Sequence, residues 1–115
     1  MKKKLLIVED NIKLLNSMSA LFEDYFDIYE GSNGAVGIEK ARLHMPDIII
    51  SDIMMPEVNG YELVESLKGN ERTSHIPIIL LTALGEDERI IEGYNYGADD
   101  YIVKPFKFDI LLSRV

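Results

Sequence analysis

Apolar residues fall along this chain in two rhythms. Short, largely apolar runs occur at Leu5–Val8, Phe26–Tyr29, Ile48–Ile50, Ile78–Leu81 and Tyr101–Val103. Between them, apolar residues recur every three or four positions. Leu14, Met18 and Leu21 mark one such stretch, and Val36 and Ala41 a weaker second. Tyr61, Val64 and Leu67 mark a third, Ile90, Ile91 and Tyr94 a fourth, and Phe108, Leu111 and Leu112 a fifth. Runs with the first rhythm predict strands and stretches with the second predict helices. Strict alternation of the two predicts crossover units on a parallel sheet. Segments such as DIIIS and IPIILLT are apolar at consecutive positions, as strands covered by helices on both faces should be. The pattern therefore predicts one doubly wound α/β domain with five parallel strands and five helices.

The punctuation agrees. Asn11 is placed to cap the first helix, and Gly31-Ser32-Asn33-Gly34 leads into the second. Pro46, Pro77 and Pro105 stand at element boundaries, where a missing N–H costs little. With 115 residues, 47% of them hydrophobic, the chain can bury one core.

Charge and cysteine content narrow the function classes. The net charge is −8, from 20 acidic and 12 basic residues, so phosphate backbones and anionic membranes would repel the domain. Direct nucleic-acid binding and membrane contact are not expected. The absence of cysteine removes disulfides, thiolate catalysis and cysteine metal sites. Met1-Lys2-Lys3-Lys4 before Leu5-Leu6-Ile7-Val8 imitates a signal peptide, but four apolar residues fall short of the ~7–15 needed, and Glu9-Asp10 ends the run. It reads as a first strand. No run is long enough to cross a membrane.

The polar residues that directly follow the apolar runs carry the chemistry. Glu9 and Asp10 follow the first strand, Asp52 the third, Thr82 ends the fourth and Lys104 follows the fifth. In an open parallel sheet these points share the carboxyl edge, where ligands bind. Taken singly, each has a plainer reading. Asp52 would be a turn former, Glu9-Asp10-Asn11 a capping cluster, Thr82 a strand end and Lys104 a solvated charge. Taken together, four strands deliver three acids, a hydroxyl and an ammonium to one edge. Three close carboxylates need a counter-charge, and Mg²⁺, with its preference for oxygen ligands and retained waters, supplies it. Lys104 and Thr82 suit phosphate oxygens. A carboxylate can attack phosphorus to form an aspartyl phosphate, and Asp52, alone on the central strand, is the candidate. Glu9 and Asp10 then hold metal.

The segments LLIVEDN (5–11), IIISDIMMPEVNGYEL (48–63), PIILLTA (77–83) and GADDYIVKPF (97–106) resemble the receiver domain of two-component response regulators. The match keeps the family's order and spacing from the first strand to the end of the chain. The resemblance implies a flavodoxin-like strand order, 2-1-3-4-5. It implies that a phosphoryl group passes to Asp52 from the histidine of a sensor histidine kinase or of its phosphotransfer domain. Asp10, Asp52 and the backbone carbonyl of Met54 would bind Mg²⁺ directly, with Glu9 acting through water. Thr82 and Lys104 would each take a phosphoryl oxygen. Ala83 would leave room for the phosphoryl group, and Lys104-Pro105 matches the family's cis peptide. Leu84 and Met54 occupy positions that tune phosphate lifetime. Tyr101 falls at the switch aromatic, packing inward behind Thr82 as the surface of the fourth helix, fifth strand and fifth helix changes. Homodimerisation through that face on phosphorylation is open to such a domain. As a plain strand aromatic, Tyr101 would have no such role.

Such a domain catalyses its own phosphotransfer and slow self-dephosphorylation, and is not a conventional enzyme. Kinase activity would lie in other parts of a hybrid protein. The expected location is the cytoplasm, or the cytoplasmic part of a membrane-bound hybrid sensor. The fifth helix has about nine residues, Lys107 to Val115, against a mean of ~11–12, so the reading expects a piece of a longer protein. That protein would end in a DNA-binding output domain or be a hybrid kinase. The histidines His44 and His75 are expected on solvated loops. Met55 is expected to fill a gap in the core.

Three other classes meet the same residues. A phosphohydrolase of the haloacid dehalogenase type needs a second acid two residues after its nucleophile, where Met54 stands. A flavin-binding flavodoxin-like module needs a Ser/Thr/Gly phosphate loop where Glu9-Asp10-Asn11 stands. A pseudo-receiver, an interaction module that is never phosphorylated, usually lacks an acid, Thr or Lys position, and this chain keeps them all.

Overall fold

The computed structural model describes residues 2–83, 97–104 and 106–115. Nine elements follow one another among these residues: β1 (Lys3–Val8), α1 (Ile12–Phe22), β2 (Phe26–Gly31), α2 (Gly34–His44), β3 (Ile48–Asp52), α3 (Gly60–Lys68), β4 (Ile78–Ala83), β5 (Asp100–Lys104) and α4 (Phe108–Arg114). The helix predicted around Ile90, Ile91 and Tyr94 lies outside the described residues. The strands form one sheet in the order β2-β1-β3-β4-β5, every pair parallel. This is the doubly wound, flavodoxin-like arrangement.

Consecutive apolar residues are explained by two cores, one on each face of the sheet. Successive side chains of a strand point to opposite faces. Leu6 and Val8 of β1 accordingly join Ile49, Leu80 and Tyr101 beneath α2 and α3. Leu5 and Ile7 join Ile50, Leu81 and Ile102 beneath α1 and α4. All five residues of β3 are buried, as its central place in the sheet requires.

Two helices bury a different stripe from the one expected. In α1 the buried residues are Leu15, Met18 and Phe22, while Leu21 is half exposed. Phe22 meets the rings of Phe26 and Phe108 edge-on, at centroid distances of 5.9 and 5.2 Å, and this aromatic cluster fixes the rotation of the helix. In α2 the buried residues are Gly34, Gly37 and Ala41, and Val36 is only partly buried. Small residues bring this helix close: a Cβ at Gly37 would lie 2.7 Å from a methyl of Val8. In α3 the expected Tyr61, Val64 and Leu67 are buried, with Leu63 beside them.

Asparagines start the helices. Asn11 accepts from the Leu14 amide and Asn33 from the Val36 amide. Asn59 and Glu62 form a reciprocal capping box at α3. His44 is a correction to the loop expectation: it is the last residue of α2 and stacks on Tyr29 at 4.4 Å. His75 is exposed in the connection before β4. Met55 is buried in the core beneath α3, as expected.

Candidate phosphoacceptor site at the carboxyl edge

Parallel strands end together, so their last residues share one edge. Beyond Val8 the Glu9 amide donates to the Gly31 carbonyl at 2.9 Å, carrying the β1–β2 ladder one step further. That step holds the Glu9 side chain inward, where it is 1% exposed. Its Oε2 accepts from the Asn11 amide at 3.2 Å, so the residue that caps α1 also steadies the carboxylate. Asp10, next in the chain, faces solvent.

Asp52 closes β3. Its register partner is Leu81, and the following Ile53 amide donates to the Leu81 carbonyl. The Ser51 hydroxyl donates to the Asp52 carbonyl at 2.9 Å. The Asp52 side chain is thereby held against the sheet and is largely buried. Carboxylate oxygens of Glu9, Asp10 and Asp52 lie within 4.8 Å of one another.

Lys104 ends β5 and reaches across β4. Its Nζ lies 3.1 Å from Glu9 Oε1 and 3.3 Å from Asp52 Oδ1. One ammonium thus bridges two of the three acids. Burial pushes the Glu9 carboxyl up from 4.5 to about 7, and the neighbouring Asp52 carboxylate adds to the rise. The Asn11 amide and Lys104 oppose it, without cancelling it. For Lys104, burial pulls the pKa down, but Asp52 and Glu9 outweigh it and raise the ammonium above its ordinary 10.5. Two carboxylates 4.8 Å apart repel by about 3–4 kcal/mol at an effective dielectric of ~20. Among the described residues one ammonium faces three carboxylates, which leaves the cluster net negative and rich in hard oxygen donors. That set fits Mg²⁺.

Thr82 is buried on β4, one residue beyond the partner of Asp52. It lies two residues past Leu80, hence on the same face of the sheet. Leu80 pairs with Tyr101, and Tyr101 is buried in the core of that face. Thr82 and Tyr101 are therefore diagonal neighbours on adjacent strands. Met54 lies two residues beyond β3 and is half exposed. The backbone of Ala83 pairs with Lys104. Pro105 and Leu84, and with them the expected cis peptide, lie outside the described residues.

The edge thus gathers Glu9, Asp10, Asp52 and Lys104 by direct geometry, with Thr82 beside them. Two contributors had no clear sequence signal: Ser51, which reads as an ordinary strand residue, and Asn11, whose amide binds Glu9 besides its capping role.

Comparison with known proteins identifies the class to which this fold and this edge belong. The family model of the response regulator receiver domain matches residues 5–115, and the chain belongs to that family. It is 45% identical to the transcriptional regulatory protein CusR of Escherichia coli over 113 residues, covering 97% of this chain and 49% of that protein. It is 39% identical to hybrid signal transduction histidine kinase D of Dictyostelium discoideum over 114 residues, covering 99% of this chain and 7% of that protein. The chain therefore spans about half of the regulator and a small part of the kinase. Among solved structures, it resembles the receiver domain of a signal transduction histidine kinase from Syntrophus aciditrophicus, with a TM-score of 0.90 and 36% identity over 97% of this chain and 86% of that one. It also resembles the receiver domain of the sensor histidine kinase PA1611 from Pseudomonas aeruginosa, described with a magnesium ion in its active site cleft. There the TM-score is 0.90 and the identity 25%, over 99% of this chain and 94% of that one. The chain is a receiver domain of two-component signalling.

Proposed function

We propose that this receiver domain accepts a phosphoryl group on Asp52 from the phosphohistidine of a partner kinase or phosphotransfer domain. The observation that carries the reading is the Lys104 bridge: one ammonium holds Glu9 and Asp52 together beside Asp10. In the transfer, a carboxylate oxygen of Asp52 bonds to phosphorus as the phosphorus–nitrogen bond breaks, and the electron pair returns to the imidazole. Asp10, Asp52 and the Met54 carbonyl would hold Mg²⁺, with Glu9 acting through water. When bound, the ion supplies positive charge that offsets the phosphoryl oxygens among the acids. Lys104 leaves its carboxylate partners to take one phosphoryl oxygen, and the Thr82 hydroxyl takes another.

Tyr101 is the readout residue. It is diagonal to Thr82 and packed on the same face, so movement of Thr82 toward the phosphoryl group changes the space Tyr101 fills. The surface that responds includes β5 and α4, together with the predicted fourth helix. Homodimerisation through it is one consequence open to the phosphorylated domain. Among the described residues no helix is long and apolar enough to cross a membrane. With a phosphohistidine donor of that kind, the domain would work in the cytoplasm, as a regulator or as part of a hybrid sensor.

The test is intact mass after incubation with acetyl phosphate, with and without Mg²⁺. A phosphate-sized gain that needs Mg²⁺ and is lost in Asp52→Asn supports the reading. No gain in the wild type favours a pseudo-receiver.

A further inference from the structure

We infer that Gly34, the first residue of α2, is a positioning residue for the loop that follows Asp52, and acts on it through Val58. The inference rests on the proposed Mg²⁺ site, to which that loop would contribute the Met54 carbonyl.

The connection from Ile53 to Asn59 is held at both ends. Gly60 donates to the Ile53 carbonyl at 2.9 Å, and a Cβ at Gly60 would lie 2.6 Å from the Asp52 carbonyl oxygen. Ile53 donates to Leu81, and Met55 is anchored in the core. The remaining freedom lies in the turn at 56–58. There the Val58 amide folds back onto the Pro56 carbonyl at 2.8 Å, and Glu57 takes a φ of 65°, which a residue with a Cβ rarely adopts. Something outside the loop must hold so strained a turn.

Gly34 is that contact. A Cβ built there would fall far inside contact distance of the Val58 carbonyl oxygen, 2.7 Å from Val58 Cγ1 and 2.8 Å from its Cβ. The backbone of α2 therefore rests directly against the turn. Gly34 has no need of glycine for its own conformation, since its φ lies outside the positive range. Alanine would also be the better helix former. What glycine supplies here is close approach. A methyl group at 34 must displace Val58, and because Gly60 pins the far end the strain is pushed back through Glu57 and Pro56 onto Met55, whose amide shares one rigid peptide plane with the Met54 carbonyl and tilts it.

The test measures Mg²⁺ affinity by titration of backbone amide shifts in the wild type, Gly34→Ala, Val58→Gly and Asp52→Asn. Melting temperature in Mg²⁺-free buffer is recorded beside it. Gly34→Ala is expected to weaken Mg²⁺ about 10-fold or more, the scale typical of losing a group that orients a ligand, and to lower the melting temperature as well, because the added methyl meets the Val58 backbone. Adding Glu57→Gly, which lets the turn relax, should recover part of the affinity. Val58→Gly, which adds no atom, should weaken binding as well, and decides the matter should Gly34→Ala not fold. Absent Mg²⁺ binding by the wild type, or equal binding by Asp52→Asn, contradicts the functional reading and this inference with it. Wild-type binding that both Gly34→Ala and Val58→Gly retain unchanged overturns this inference alone.

Discussion

Lys104 Nζ lies 3.1 Å from Glu9 Oε1, joining the last residue of β5 to the first residue after β1 across 95 positions of sequence. The contact crosses the sheet's carboxyl edge and makes the acid cluster possible in a folded chain without metal. Removing the ammonium should expose that role. In Mg²⁺-free buffer at pH 8, Lys104→Gln is expected to lose on the order of 1–2 kcal/mol of stability, because Glu9 and Asp52 are left buried without their cation. The loss stays below that of a fully buried pair, since Lys104 is a quarter exposed to screening solvent. Urea unfolding checks it. Equal or greater stability of the variant at pH 8 would contradict the assignment.

Glu9 makes the pH dependence specific. Its carboxyl titrates near 7 in the folded chain against 4.5 ordinarily, so between these values the folded state binds more protons than the unfolded state. Its contribution to stability is full below pH 4.5 and is lost as pH rises through 7. The loss is on the order of 3 kcal/mol in Mg²⁺-free buffer. Glu9→Gln should flatten this part of the stability profile. Mg²⁺ competes with the same proton, so its affinity should climb across the same window. A wild-type profile that rises from pH 5 to 8 without metal would refute the sign.

The aromatic contact of Phe22 with Phe108 bears on the terminal helix. Phe22 is fully buried between β2 and α4, and Phe22→Ala is expected to cost ~3–5 kcal/mol. Hydrogen exchange should show α4 losing protection along with α1. Retained protection in α4 would mean that Leu111, and not the aromatic cluster, docks that helix.

Asn59 joins the site loop to α3. Its capping box with Glu62 satisfies amides at the helix start, so Asn59→Ala should cost about 1 kcal/mol. Asn59→Asp should retain most of that. Chemical denaturation of the three proteins tests the pair, and equal stability of all three would remove the cap from the account.

These residues also show what the sequence made legible. Glu9, Asp10, Asp52 and Lys104 were readable because each stands directly after an apolar run, and parallel strands must bring such positions to one edge. The strand order was not readable from alternation, which fixes direction but not neighbourhood; the family resemblance supplied it. The α1 stripe was displaced from Leu15 and Phe22 to Leu14 and Leu21 because both sets satisfy a period near 3.6. Only the aromatic contacts of Phe22 decide between them. The packed face of α2 escaped notice because glycines carry no hydrophobic signal, although close approach is what they provide. The left-handed turns at Met45 and Glu57 had no signal either, since neither residue type favours that conformation.

The central claim is that Asp52 is the phosphoacceptor. The most direct measurement is borohydride reduction of the chain after treatment with acetyl phosphate and Mg²⁺, followed by peptide sequencing by mass spectrometry. Reduction converts an aspartyl phosphate to homoserine and marks the residue that carried it. The account predicts homoserine at position 52, dependent on Mg²⁺ and strongly reduced in Lys104→Gln. Homoserine at position 10, or at no position, would contradict it.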